Sequence, residues 1–284
     1  MFNLLSFWLR RSQRRWLYPL LSIVVSCGLV MATPLVSQAI SWGDLILRGV
    51  QAVQVSNISD NQEVALGKQM NSQVSREVRF NRNPGLNTYI NQIGQRLAKN
   101  SERPKIPYTF QVVEDKSINA FATMGGFVYI HTGLLKAADN EAEVASVLAH
   151  EIGHITGRHV VRQMRQTLLA RGIAEAAGVD RNIAVQLGVE LGMRRPKSRE
   201  FEFEADQKGF QTLGKANYAQ SAMVSFMQKL MKLGGSVPSI LSTHPPTQDR
   251  VTRLQQALKS SPNNNSTEGL DNAGYKDLIS KFLN

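Results

Sequence analysis

The chain has 284 residues, 42% of them hydrophobic, and a formal net charge of +11, which allows one large globular domain or two small ones with a proper core. Beyond the first fifteen residues the basic residues are scattered, with no run longer than Arg194-Arg195-Pro196-Lys197 and no interleaved aromatics, so no nucleic-acid partner is expected. The single cysteine, Cys27, lies in the N-terminal apolar stretch, which excludes a disulfide framework and thiolate chemistry from the folded part.

In chain order, Arg10, Arg11, Arg14 and Arg15 precede an uncharged stretch, Trp16 to Val36, and then Ser37-Gln38-Ala39. A basic segment, an apolar segment and a small-x-small exit have the layout of a secretory signal cut after Ala39. The same stretch is long enough to span a bilayer uncut, so membrane association through residues 16–36 is the alternative. Cys27 sits in a lipoprotein-like box, but the apolar Gly28 to Val36 that follows argues against lipidation there. Either way the arginines stay cytoplasmic and the rest is exported, to the periplasm or the outer face of a membrane. Residues 1–39 are thus read as signal or anchor and 40–61 as a linker. A main domain at 62–258, a polar linker at 259–272 and a short C-terminal amphipathic helix at 273–284 follow.

Within the main domain, Val64, Leu66, Met70, Val74 and Val78 have helical spacing, as do Leu86, Tyr89, Ile90, Ile93 and Leu97 after Asn83-Pro84-Gly85. Tyr108 to Val113 and Phe127 to His131 read as strands. From Asn140 the chain turns helical: Glu141 to His159, then Val160 to Leu191 with interruptions at Gly172 and Gly178. Further helices are read at Ser198 to Leu213, Ser221 to Leu233 and Arg250 to Leu258. Ser260 to Asp271 is rich in Asn and Ser and reads as a flexible connection. The fold class expected is α+β, mostly helical with a small sheet.

The chemistry concentrates in His150-Glu151-Ile152-Gly153-His154. A spacing of four puts both imidazoles on one helix face, where they can reach one ion, with Glu151 close enough to take a proton from a metal-activated water. Without thiolates, further ligands must come from carboxylates or from His131, His159 and His244. The pattern HExxHxxGxxH nearly follows, because Gly157 is in place. Position 160, however, is Val, and His159 is one residue short, so His159 reads as a supporting or structural residue. The acidic run Ser198-Arg199-Glu200-Phe201-Glu202-Phe203-Glu204-Ala205-Asp206 offers two helical pairs, Glu202 with Asp206 and Glu200 with Glu204. Spacing alone does not choose between them. Such a crowd of carboxylates repels itself unless a cation lies among them.

HEIGH followed by SR-x-x-E-x-E-A-D resembles the gluzincin zinc metallopeptidases of the HtpX and CAAX prenyl protease type, and is nearest to the exported BepA and LoiP members. Asn119 to Ala122, Gly125 to Ile130, Gly133 to Leu135 and Ser242-Thr243-His244-Pro245-Pro246 with Arg250 agree with it, over residues 62 to 258. The resemblance implies a zincin-type domain with its sheet beside the active-site helix and one Zn2+ per chain held by His150, His154 and Glu202. It implies Glu151 as general base and Asp206 as the acceptor that fixes a ligand histidine, with Arg199 holding the carboxylates. It further implies quality control of misfolded envelope or membrane-associated proteins. Unfolded polypeptides are expected to pair with an edge strand at 126–130. His244 has two readings, an oxyanion donor that assists or a fourth ligand that restrains. The rival function is a weakly proteolytic chaperone or adaptor that keeps the fold.

Overall fold

Ser59 starts the first α-helix among the described residues. Its side chain accepts from the Gln62 backbone N–H and the Gln62 side chain returns to the Ser59 N–H at 2.9 Å, a reciprocal cap that satisfies two orphan donors. The computed structural model describes residues 55–172, 179–195, 197–232, 239–245, 247–261 and 265–283. The expected signal or anchor and its membrane stretch at 16–36 lie outside them. Among the described residues no helix is long and apolar enough to cross a membrane.

Helix α1 (Asp60–Glu77) buries Leu66, Met70 and Val74, and α2 (Pro84–Lys99), with Pro84 in its first turn and Asn83 as cap, buries Leu86, Ile90, Ile93 and Leu97. Three strands follow: β1 (Thr109–Val113), β2 (Ala120–Ala122) and β3 (Phe127–His131), in spatial order β1-β3-β2. β1 runs parallel to β3 and β2 antiparallel to it.

The strand expected at the edge is therefore the central one. All five β3 residues are buried, as befits a continuous apolar run flanked by strands on both sides and covered on both faces. Val128 and Ile130 face one core with α2, while Phe127 and Tyr129 face a second core with α1. The edge beside the helical half is β2, too short to announce itself in the sequence.

After the short α3 (Thr132–Ala137) comes α4 (Glu141–Thr156), capped by Asn140. The helix expected to run on to His159 breaks at Gly157 and at Arg158, whose φ is 53°. That left-handed residue turns the chain back, so α5 (His159–Ala170) starts beside the end of α4. Helix α6 (Arg181–Val189) continues through a π-helical turn, Glu190–Arg194. Helix α7 (Arg199–Lys215), capped by Ser198, then crosses α4, followed by α8 (Ser221–Lys232), α9 (Ser239–Thr243) and α10 (Gln248–Ser260).

The stretch read as a polar linker is hydrogen-bonded into the domain: Gly269 accepts from the Ala142 N–H and Glu268 from the Ala219 N–H, at 2.9 and 3.1 Å. The last helix, α11 (Asn272–Leu283), buries Tyr275 and Ile279, and the Tyr275 hydroxyl donates to the Leu135 carbonyl at 2.6 Å. The architecture is thus mostly helical with one small mixed sheet, as expected.

Candidate metal centre

Helices α4 and α7 bring the donors together because their backbones nearly touch. A Cβ on Gly153 would lie 2.5 Å from the Ala205 carbonyl oxygen, and one on Gly209 would lie 2.9 Å from that of Ala149. Only glycine permits this approach, and it carries Glu202 from α7 to the two histidines of α4. His150, His154, Glu202 and His244 each offer an atom, all are buried, and these atoms lie within 4.8 Å of one another.

His150 Nε2 is 3.1 Å from His154 Nε2 and 3.3 Å from His244 Nδ1. Glu202 Oε1 is 3.3 Å from His154 Nε2 and 3.0 Å from His244 Nδ1. Four donors converging in a buried site, three of them imidazole nitrogens with no proton donor to spare between every pair, make a site for a metal cation. Of the two carboxylate pairs left open by spacing, Glu202 and Asp206 face inward. Glu200 and Glu204 face Arg162, at 3.4 and 2.5 Å.

Each α4 histidine is oriented from behind. His150 Nδ1 lies 2.9 Å from Asp206 Oδ1. His154 Nδ1 lies 2.7 Å from His159 Nδ1, whose Nε2 is 3.2 Å from Glu204 Oε2. His159 is fully buried and stacks on Phe201 at 4.5 Å. Such partners select the tautomer and the ring plane of a ligand histidine.

Burial lowers His150, but Asp206 and Glu202 outweigh it and raise the group to about 10. Burial lowers His154 well below its ordinary range, and the neighbouring His150 and His244 add to this against Glu202. Burial alone would raise Glu202, yet the three histidines hold it well below the usual carboxylate range. Asp206 is likewise held down against its burial, chiefly by Arg250.

The sequence reading gave Arg199 the task of holding the carboxylates. Arg199 instead leaves 63% of its side chain exposed and pairs with Asp249. Its guanidinium runs outward over the Phe203 ring, on a different face of α7 from the inward Glu202. The work falls to Arg250, in the first turn of α10 and 3% exposed. Its Nε and Nη2 donate to Asp206 at 2.6 and 2.7 Å, its Nη1 lies 2.8 Å from Glu202 Oε2, and the same Nη1 donates to the Pro245 carbonyl at 3.0 Å. The sequence signal was its distance from His244, within one downstream element.

Glu151 is buried, both its carboxylate oxygens lack a hydrogen-bond partner among the described residues, and Oε1 lies 3.6 Å from His244 Nε2. His244 thus stands where a fourth donor would, the geometry of its restraining reading. His131 is far from this cluster in role: its Nδ1 meets Ser117 Oγ at 2.8 Å.

A residue missed by sequence reading is Lys197, 6% exposed. Its ammonium donates to the Leu191 and Gly192 carbonyls inside the π-helical turn, and its backbone N–H donates to the Thr243 carbonyl beside His244. Burial brings it down to about 8, against the attraction of Glu151 and Glu202. The turn it holds packs on β2, with Gly192 against the Ala122 carbonyl.

The description "Peptidase family M48" belongs to the family model that matches residues 84–258. The putative β-barrel assembly-enhancing protease of Vibrio cholerae serotype O1 is 34% identical over 242 residues, covering 79% of this chain and 50% of that protein. The β-barrel assembly-enhancing protease of Escherichia coli K12 is 32% identical over 212 residues, covering 69% and 44%. The mitochondrial metalloendopeptidase OMA1 of Arabidopsis thaliana is 34% identical over 165 residues, covering 56% and 33%. The chain spans about half the length of the β-barrel assembly-enhancing proteases it matches.

Proposed function

The chain belongs to peptidase family M48, and from that premise we propose that it is a zinc-dependent metalloendopeptidase acting on unfolded or misfolded envelope polypeptides. The observation that carries the reading is the convergence of four buried donors: four of the six separations among His150 Nε2, His154 Nε2, Glu202 Oε1 and His244 Nδ1 are 3.0 to 3.3 Å, and the residues' donor atoms all lie within 4.8 Å of one another. An ion bound tetrahedrally at about 2.0–2.1 Å sets its donors about 3.3 Å apart. Three imidazoles and a carboxylate suit zinc.

Zinc held there supplies Lewis acidity toward a peptide carbonyl and a source of hydroxide near neutral pH. His150, His154 and Glu202 are its holders, kept in register by Asp206, His159 and Arg250. Glu151, with both oxygens unspent, takes the proton of the attacking water and delivers it to the leaving amide nitrogen. His244 occupies the fourth position and restrains the enzyme until its loop moves. This restraint is also what favours the second reading, a weakly proteolytic chaperone or adaptor.

The substrate backbone, on this reading, pairs with β2 rather than with β3. Thr123 N–H donates to Phe127 and His131 N–H to Asn119, each at 3.0 Å. In an antiparallel ladder the intervening Ala120 and Ala122 then direct their backbone groups outward. Ala122 and Thr123 share a recess with His154, and Gly192 of the π-helical turn lies against the Ala122 carbonyl, so a strand added to β2 once that turn withdraws passes beside His154. The leader, with its arginines and apolar run, supports export, with residues 16–36 as a membrane tether if uncut. Mass spectrometry of the mature N-terminus tests that part.

The activity is tested on the full chain with reduced casein, with and without chelator, beside Glu151→Gln. Chelator-sensitive cleavage lost in Glu151→Gln, with zinc retained, is the expected result. Zinc-loaded protein that cleaves nothing, even with His244→Ala, sinks the peptidase in favour of the adaptor.

A further inference from the structure

Between α7 and α10 runs a trough that the peptidase reading does not use. On α7, Phe203, Gln207, Phe210 and Gly214 recur every three or four residues, and on α10 Arg253, Ala257 and Ser260 do the same. Each set shares one helix face, and both faces line the trough. The helices join at one end, where Arg250 grips Asp206 and the Arg253 guanidinium lies over the Phe203 ring at 4.1 Å. At the other end Gln220 bridges them, donating to the Phe210 carbonyl at 2.8 Å and accepting from the Ser261 hydroxyl. The space between measures about 740 Å³, over a floor of buried Phe210 and Leu254.

Charge is confined to the two ends. Arg253 stands at the first and Lys215 at the second, beside Gly214, which abuts the Gln220 side chain. Among the described residues neither cation has a carboxylate partner. The acids that reach the trough are already engaged: Glu204 with Arg162 and His159, Asp206 with Arg250 and His150. Phe203 and Lys215 lie twelve residues apart on α7, about 18 Å. A second helix covers that distance in about eleven or twelve residues, and its positions i, i+4, i+7 and i+11 fall on one face.

We infer that this trough docks an amphipathic helix of a partner protein, with an apolar stripe on the floor and an acidic residue at each end, facing Arg253 and Lys215. Two helices flanking an open apolar floor leave room for a third to pack ridge into groove. Opposite charges at the ends fix its register and reject other helices. A nucleic acid is negative along its whole length, which an apolar floor between two cations does not match. The inference concerns binding alone and does not rest on the peptidase reading.

The test uses the full chain carrying Glu151→Gln, so that no probe is cut. The probe is a fluorescent, lactam-stapled sixteen-residue helix with glutamate at positions 3 and 14 and leucine at 7 and 10; its counterpart carries lysine in place of glutamate. Anisotropy is expected to show the acidic helix bound at least tenfold tighter than the lysine one, with the gap closing as salt rises. Arg253→Glu/Lys215→Glu should invert that order. Ala257→Trp, which fills the trough, should weaken the acidic helix at least tenfold. Melting curves verify that each variant folds, and Arg253→Gln, expected to weaken the acidic helix about threefold, serves if either of the others does not. Absent binding, equal binding of the two helices, or binding indifferent to these substitutions overturns the inference. So does tighter binding of a polythymidine oligonucleotide, or sedimentation that shows a dimer of this chain dissolved by Ala257→Trp.

Discussion

Arg250 holds Asp206 through two parallel hydrogen bonds of 2.6 and 2.7 Å in a buried setting, and Asp206 in turn lies 2.9 Å from the His150 ring. The guanidinium thus orients a metal donor through one intermediary carboxylate. Bidentate pairing of this kind depends on the planar fork, which lysine lacks. Arg250→Lys is expected to weaken zinc binding about 10–100-fold, the usual effect of losing an outer partner of a ligand. Competition against a chromogenic chelator measures it. Unchanged affinity would show that Asp206 keeps its position without help.

His244 separates assistance from restraint by sign. With its Nδ1 3.0 Å from Glu202 Oε1, it competes for the position that water and substrate need. His244→Ala is expected to raise casein hydrolysis several-fold while modestly weakening zinc, read by initial rates at saturating zinc. A fall in rate with zinc retained would instead make His244 an oxyanion donor.

The closeness of α4 and α7 makes Gly153 a sensitive position. Adding one methyl against the Ala205 carbonyl at 2.5 Å forces the helices apart, costing about 1–3 kcal/mol. Gly153→Ala should lower the melting temperature and, by moving Glu202 outward, weaken zinc more than the stability loss alone accounts for. Thermal melts with and without zinc check both parts.

Lys197 predicts a pH dependence. In the folded chain it titrates near 8, against an ordinary 10.5, so between these values the unfolded chain holds more protons than the folded one. Stability from this group therefore rises as pH rises through that window. Lys197→Met removes a buried charge but also two hydrogen bonds, and should be more stable by on the order of 1–2 kcal/mol near pH 7. That advantage should shrink toward pH 10, as urea denaturation at both values would show. The same substitution frees the turn that covers β2, so casein hydrolysis should rise with it.

Much of this site could be read from residues close together in the chain. His150, Glu151 and His154 follow from helical spacing, and the Ser198 cap announces α7. Whether Glu202 or a neighbour turns inward depends on how α7 crosses α4, which spacing does not contain; the family resemblance supplied Glu202. Arg199 and Arg250 were confused because charge at helical distance from a carboxylate is cheap to find, while burial is invisible locally. β3 was taken for an edge because β2 has three residues, below the length at which alternation can be seen. Lys197 carried no signal, since a lysine beside other basic residues reads as solvated surface. The turn at Arg158 was signalled by Gly157, which the sequence reading compared with the HExxHxxGxxH pattern and did not take as a helix stop.

The contact of α4 with α7 through Gly153 and Gly209 has one more consequence. The two ligand-bearing helices are positioned by direct backbone contact, and among the described residues between them none adds a donor to the cluster. The spacing of the donors is therefore set at the crossing itself, much as the blades of a pair of scissors are aligned by their pivot and not by their handles.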